Sequence, residues 1–257
     1  MNEHKIFKQM KRLTGQAIGD FGLIEDNDRI LVALSGGKDS WAMLYILSEL
    51  CRRAPINYEL IPVTIDPGFE GFDTAAIQQH LKQHGFSGRI EKTRNKERID
   101  RHLKPGTSYC AFCARLRRGA LYATATKLSC NKVALGHHLD DHIETLLLNQ
   151  FYSGTLAAMS PKLKADNGIH TVIRPLVYVE ESMIEQWAQI KHVPQIDCSC
   201  PQLARRDQKR QKIKEMIADL HQDNPLLKKS LLKAMAYVQP RHLLDPTISS
   251  TRNQPIP

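Results

Sequence analysis

The run Leu34-Ser35-Gly36-Gly37-Lys38-Asp39-Ser40 collects the groups that an anion site needs. Two glycines let the backbone approach a phosphate closely, the helix that follows offers N–H groups and a positive dipole end, and Lys38, Ser35 and Ser40 add donors. It is not a Walker A loop: that pattern would need glycine where Val32 stands and Ser or Thr where Asp39 stands. Thiols form a second constellation. Of six cysteines, four fall in close pairs, Cys110-x-x-Cys113 and Cys198-x-Cys200. Each pair is half of a soft-metal site, so zinc on four thiolates, an iron–sulfur cluster and a redox disulfide using one pair alone are all chemically open. Cys51 and Cys130 read as packing residues. A third block, Gly136-His137-His138-Leu139-Asp140-Asp141-His142, offers His138 and His142 at helical spacing for a metal, or Asp140 as a helix N-cap.

The elements that must position these groups alternate. Strands are expected at Arg29 to Leu34, Tyr58 to Ile65, Gly88 to Thr93, Lys132 to Leu135 and Thr171 to Arg174. Helices are expected at Asp39 to Arg53, Thr74 to His84, Cys113 to Leu128, Asp140 to Tyr152 and Glu180 to His192. Such alternation predicts an α/β fold, a doubly wound parallel sheet of about five strands with helices on both faces. The glycine loop then lies at the carboxyl edge of strand one, where open sheets bind ligands. Beyond Pro201 only helices are expected, Arg206 to His221 and Pro225 to Val238, broken at Asn224-Pro225. The expected divisions are an N-terminal helical segment (1–24), an α/β domain holding the glycine loop and the CxxC (25–197), a helical tail opening with the second cysteine pair (198–239) and an extended end (240–257).

The 257 residues carry 36 Lys and Arg against 27 Asp and Glu, a net charge of +9 that suits a polyanionic partner. Apolar residues are 42% and charged residues 25%, which excludes a disordered or fibrous chain. No apolar run nears the ~20 residues of a membrane span, and no secretory signal pattern is seen, so a cytoplasmic protein is expected. Basic runs flank the cysteine pairs: Arg115, Arg117 and Arg118 after the first, Arg205, Arg206, Lys209, Arg210, Lys212 and Lys214 after the second. Such runs are either solvated helix faces or phosphate-backbone contacts.

Ser35 to Ser40 (SGGKDS) resembles the PP-loop signature of N-type ATP pyrophosphatases, which have a HUP-like adenine nucleotide hydrolase fold. Further blocks resemble the tRNA 2-thiocytidine synthetase family: Cys110-Ala-Phe-Cys113-Ala-Arg-Leu-Arg-Arg-Gly119, Gly136-His-His-Leu-Asp-Asp141, Phe151-Tyr-Ser-Gly154, Pro161-Lys-Leu163 and Arg174-Pro-Leu-Val-Tyr-Val179. The likeness runs from about Asp28 to Leu244. It implies ATP bound by Ser35, Gly36, Gly37, Lys38, Asp39, Ser40, Ile65 and Gly136, with Lys38, Asp39 and Asp141 catalytic and Mg²⁺ near the acids. It also implies a [4Fe-4S] cluster on Cys110, Cys113 and a third cysteine, leaving one iron open for sulfide.

The family's late motif is C-x-x-C, whereas this chain has Cys198-Ser199-Cys200. Cys200 is the nearest match to the second cysteine of that motif and is followed by proline, as in one ferredoxin ligand run. The resemblance further implies a tRNA substrate contacted by Arg115, Arg117, Arg118, Arg206 and Lys209, a cysteine desulfurase as sulfur source, and a homodimer. Its rivals are a 2-thiouridine or lysidine synthetase, the latter needing no cluster, and a non-catalytic, metal-stapled RNA-binding protein.

Overall fold

The computed structural model describes residues 2–104, 108–166, 168–196 and 208–244. In chain order the elements are α1 (Glu3–Phe21), β1 (Asp28–Ala33), α2 (Lys38–Cys51), β2 (Tyr58–Asp66), α3 (Thr74–Gln83), β3 (Arg89–Lys92), α4 (Asn95–His102) and α5 (Tyr109–Lys127). Then come β4 (Lys132–Ala134), α6 (Leu139–Leu148), a π-helical turn (Asn149–Ser153), β5 (Lys162–Lys164), β6 (Thr171–Ile173), α7 (Glu181–Lys191), α8 (Gln208–Asp223) and α9 (Leu227–Ala236).

Consecutive apolar residues in β1 require cover on both faces. Ile30 and Val32 join a core with Ile6, Trp41, Leu44, Ile77 and Trp187, from α1, α2, α3 and α7. Leu31 points the other way and packs with Ile61, Val63, Leu121, Ala125 and Val133, under α5. Cys130 is buried in this second core, the packing role expected of it.

The sheet has six strands in the order β3-β2-β1-β4-β6-β5. β1 pairs in parallel with β2 and β4, β2 with β3, and β4 with β6. The expected doubly wound parallel sheet is therefore present, with one strand more than sequence predicts. That strand, β5, pairs antiparallel with β6 at the edge. Its sequence Lys162-Leu163-Lys164 is too short and polar to read as a strand, and lysines on an edge oppose further pairing. From β1 the chain builds outward through β2 and β3, then returns to build β4 and β6 on the other side. The switch point falls at the carboxyl ends of β1 and β4.

Three helices differ from expectation. α5 starts at Tyr109, not Cys113, because Ser108 caps it, its side chain accepting from the Ala111 N–H at 3.4 Å. The uncapped reading missed a first turn that lacks an apolar stripe. α4, unseen in sequence, offers Ile99 as its one buried apolar residue. α6 does not run to Tyr152 but gives way to the π-helical turn, closed by Gly154 in a left-handed conformation (φ 65°). The break at Asn224-Pro225 is present, and its carbonyl at Asn224 accepts from the Leu227 N–H at 2.9 Å.

By compactness the chain forms two units, Met1–His142 with Met159–Gln208, and Ile143–Ala158 with Lys209–Pro257. The first contains the sheet. The second has Ile213 and Ile217 of α8 buried. No helix among the described residues is long and apolar enough to cross a membrane.

A buried ion pair ties β4 to the start of β1: Lys132 Nζ lies 2.7 Å from Asp28 Oδ2, both side chains almost fully buried. Asp28 also accepts from the Glu25 N–H and from Asn131 Nδ2. Removing the cation alone strands a buried carboxylate, so Lys132→Met is expected to cost about 3–5 kcal/mol. Urea denaturation checks this. A loss below about 1 kcal/mol would show that Asn131 and the backbone already satisfy Asp28.

Candidate active site

The loop after β1 is built by backbone rather than side chains. Gly37 occupies the N-cap of α2 with φ −83° and ψ 159° and has no side chain to cap the turn, so an external anion can take the first N–H groups. Gly36 has φ +87°, a conformation natural to glycine. Ser40 braces the turn: its hydroxyl donates to the Gly37 carbonyl at 2.8 Å and accepts from the Ser35 N–H at 3.2 Å. Ser35 Oγ accepts from the Gly37 N–H at 3.3 Å. From the other side, the Ile196 N–H donates to the Gly36 carbonyl at 3.0 Å, and a Cβ on Gly36 would stand 2.9 Å from Ile196 Cβ. Trp41 fixes the same segment, its indole N–H donating to the Pro194 carbonyl at 2.9 Å.

The loop after β4 meets this one. A Cβ on Gly136 would lie 3.2 Å from the Asp39 carbonyl and the Ser40 nitrogen, so glycine is what lets the two loops touch. Lys38 Nζ is 2.9 Å from Glu181 Oε1 at the start of α7 and 3.3 Å from Asp39 Oδ1. Burial is the largest single influence on Lys38 and pulls its pKa down, but Asp39 and Glu181 together outweigh it and leave it raised. Lys38 is thus a secure cation. Asp39 is raised, first by burial and then by Asp141, against the pull of His138 and Lys38. The His138 ring fills the space between the acids, Nε2 lying 3.5 Å from Asp141 Oδ2, 3.8 Å from Asp39 Oδ1 and 3.9 Å from Glu181 Oε1.

Asp140 is not the N-cap of α6. His138 holds that position, its carbonyl accepting from the His142 N–H at 3.3 Å, because Asp141 reaches back to the His138 N–H at 3.1 Å in the manner of a capping-box acid. Asp140 instead accepts from the Glu181 N–H at 2.7 Å and so joins α6 to α7. Glu181 escaped the sequence reading, since an acid in a first helical turn is ordinary. Arg174, quoted only within a motif, donates through Nε to His137 Nδ1 at 3.2 Å. Among the described residues no group of three or more His, Cys, Asp and Glu is placed to hold a metal ion.

Ile65 is buried near the end of β2, at the same sheet edge, and the Leu34 N–H donates to the Val63 carbonyl at 2.8 Å beside it. Since α5 leads back to the amino end of β4, its first turn also lies toward the carboxyl edge. Tyr109 there packs on Phe69, just past β2, at 6.5 Å between ring centroids. Cys110, exposed, and Cys113, half-buried, stand three apart on this turn and share one face of α5, which Arg117 continues. Arg115 and Arg118 are exposed and Arg117 half-buried. Lys209 is exposed in the second unit. Cys198, Cys200 and Arg206 lie outside the described residues.

Burial, with Arg174 and His137 nearby and Asp141 opposing, lowers His142 to about 4. The unfolded chain takes up this proton below about pH 6.5 and the folded chain only below about 4. Stability present above pH 6.5 therefore declines as pH falls from 6.5 toward 4, and His80, also lowered to about 4, acts in the same direction. Urea midpoints should fall across that window, and His142→Gln should flatten the fall. An unaltered pH slope in that variant would remove His142 as a cause.

The chain matches the PP-loop domain family over residues 2–216. It is 59% identical over 246 residues to a tRNA-cytidine(32) 2-sulfurtransferase of Syntrophotalea carbinolica, covering 96% of this chain and 95% of that one. A protein of the same name from Geobacter metallireducens is 53% identical, covering 95% of each chain. Among solved structures, the fold is similar to U34-tRNA thiolase NcsA from Methanococcus maripaludis, solved with its [4Fe-4S] cluster. The TM-score is 0.75 and the identity 22%, over 93% of this chain and 82% of that one. With the glycine loop, the acid block and the CxxC helix all in place on the expected sheet, the chain belongs to the PP-loop family and, within it, to the tRNA-cytidine(32) 2-sulfurtransferases.

Proposed function

We propose that the chain is an ATP-dependent tRNA sulfurtransferase that replaces the C2 oxygen of cytidine 32, in the anticodon loop, with sulfur. The observation that carries this is the gathering at one sheet edge of an uncapped helix start beside a secure cation, Lys38, and a pair of thiols on the first turn of α5. In this reading residues 25–197 form the ATP-binding domain, and the segment from residue 198 supplies the third cluster ligand, Cys200.

The C2 oxygen of the base attacks the α-phosphorus of ATP, the bond to the bridging oxygen breaks, and pyrophosphate leaves into the Ser35–Ser40 loop. Lys38 and the N-terminal dipole of α2 offset its charge. Sulfide then adds at C2, and AMP departs with the former C2 oxygen. Gly136 and Ile65 border the nucleotide, and Asp39 and Asp141 orient the reacting end. Two carboxylates with phosphate oxygens and waters are a donor set that fits Mg²⁺, which needs no all-protein cage. Cys110 and Cys113, on one face of α5, fit as two ligands of a [4Fe-4S] cluster, which when bound would supply an open iron to carry sulfide. The reading includes a cysteine desulfurase as sulfur source, a homodimer and a cytoplasmic setting.

ATP–pyrophosphate exchange, iron content and mass spectrometry of tRNA nucleosides test it together. Lys38→Ala and Asp39→Ala are expected to abolish thiolation with iron content unchanged. Cys110→Ala, Cys113→Ala and Cys200→Ala are expected to lose iron and thiolation, while Cys198→Ala keeps its iron. Iron loss in the loop variants would overturn the separation of the two sites. Iron loss in both late-cysteine variants would favour a closed structural metal instead. Thiouridine or lysidine in the modified tRNA would point to the rival substrates.

Arg117→Ala and Arg118→Ala are each expected to weaken tRNA binding, with the slope of log affinity against log salt reduced by about one. Unchanged affinity at low and high salt would return both to a solvated helix face.

A further inference from the structure

Phe151-Tyr152-Ser153-Gly154 has no part in the nucleotide site. It occupies the π-helical turn after α6, and such turns are frequent at functional sites. Every residue from 150 to 157 is exposed, with Phe151 at 56%, Tyr152 at 46% and Leu156 at 59%. The segment is braced all the same: Asn149 Nδ2 donates to the Ala157 carbonyl at 2.7 Å, and the Thr155 N–H donates to the Asn149 carbonyl at 3.1 Å. The two rings are thus presented to solvent by an ordered turn.

The start of α8, in the same unit, adds cations. Lys209, Arg210, Lys212 and Lys214 fall within its first two turns. Arg210 donates to Glu144 Oε2 at 3.0 Å, and because Glu144 is almost fully buried on α6, this contact pins α8 beside the turn. Lys209 Nζ then lies 4.7 Å from the centre of the Tyr152 ring.

We propose that Phe151 and Tyr152, with Lys209, form a stacking platform for unpaired RNA bases, the rings taking base faces while the α8 cations follow the phosphates. This rests on the reading of the chain as a tRNA enzyme and adds a site to it. Aromatic faces interleaved with cations are what single-stranded nucleic acid requires. The core of a protein–protein interface is instead depleted in lysine, which disfavours a second copy of the chain here.

The test is fluorescence anisotropy of the full-length protein with tRNA and with an anticodon-arm hairpin bearing its unpaired loop. Phe151→Ala and Tyr152→Ala should each weaken binding roughly tenfold with the salt slope unchanged, because stacking releases no counterions. Tyr152→Phe should retain affinity, and Lys209→Ala should reduce the salt slope by about one. Thermal melting of each variant separates loss of the platform from loss of the fold, and Tyr152→Phe preserves packing if the alanine variant unfolds. Unchanged RNA affinity in folded Phe151→Ala and Tyr152→Ala overturns the platform. Dissociation of a dimer in sedimentation, with RNA affinity unchanged, overturns it in favour of a contact between copies. If the unaltered protein binds no tRNA, the wider reading fails as well.

Discussion

The loop after β1 depends on backbone meeting backbone with no side chain between. Gly136 lies against the carbonyl of Asp39 and the nitrogen of Ser40, and Ile196 lies on Gly36. These contacts hold together three segments far apart in sequence: the turn after β1, the turn after β4 and the stretch leaving α7. A methyl group on either glycine would press on backbone or on a Cβ, neither of which can swing away as a flexible side chain can. The shape of the loop is therefore a matter of steric allowance, and Ser35 and Ser40 stiffen what the glycines permit.

Charge is the second organising term. Lys38 lies among Asp39, Glu181 and, more distantly, Glu185, while His138 stands between Asp39, Asp141 and Glu181. Burial alone would lower the Lys38 pKa, yet the surrounding carboxylates leave it raised. The site thus keeps its cation at the expense of collecting acids. Asp140, accepting from the Glu181 N–H, ties the start of α6 to the start of α7 within the same group of charges.

The thiols are positioned by a different device. Ser108 starts α5 one turn earlier than the apolar pattern indicates, which turns Cys110 from a loop residue into a neighbour of Cys113 on a helix face. Because α5 runs antiparallel to the strands, that first turn lies toward the edge where β1 and β4 end. A capping hydroxyl and a crossover direction together bring the two thiols toward the sheet edge that holds the glycine loop.

Sequence by itself determined the sheet's class and the location of the glycine loop. Apolar runs such as Ile30-Leu31-Val32 can only be buried strands, and glycines between such a strand and a helix have few other uses. It also determined the family, since separate blocks recur in order along most of the chain. Tertiary structure alone decided which side chains complete the site. Glu181 reaches Lys38 across 143 residues of sequence, and His138 gathers acids from three elements, contacts that leave no periodic trace. β5 and α4 were equally silent, because one polar edge strand and one helix with a single buried isoleucine carry too little apolar pattern to be read. The π-helical turn that exposes Phe151 and Tyr152 belongs with these, for an apolar stripe continues past the point where the backbone changes its hydrogen bonding.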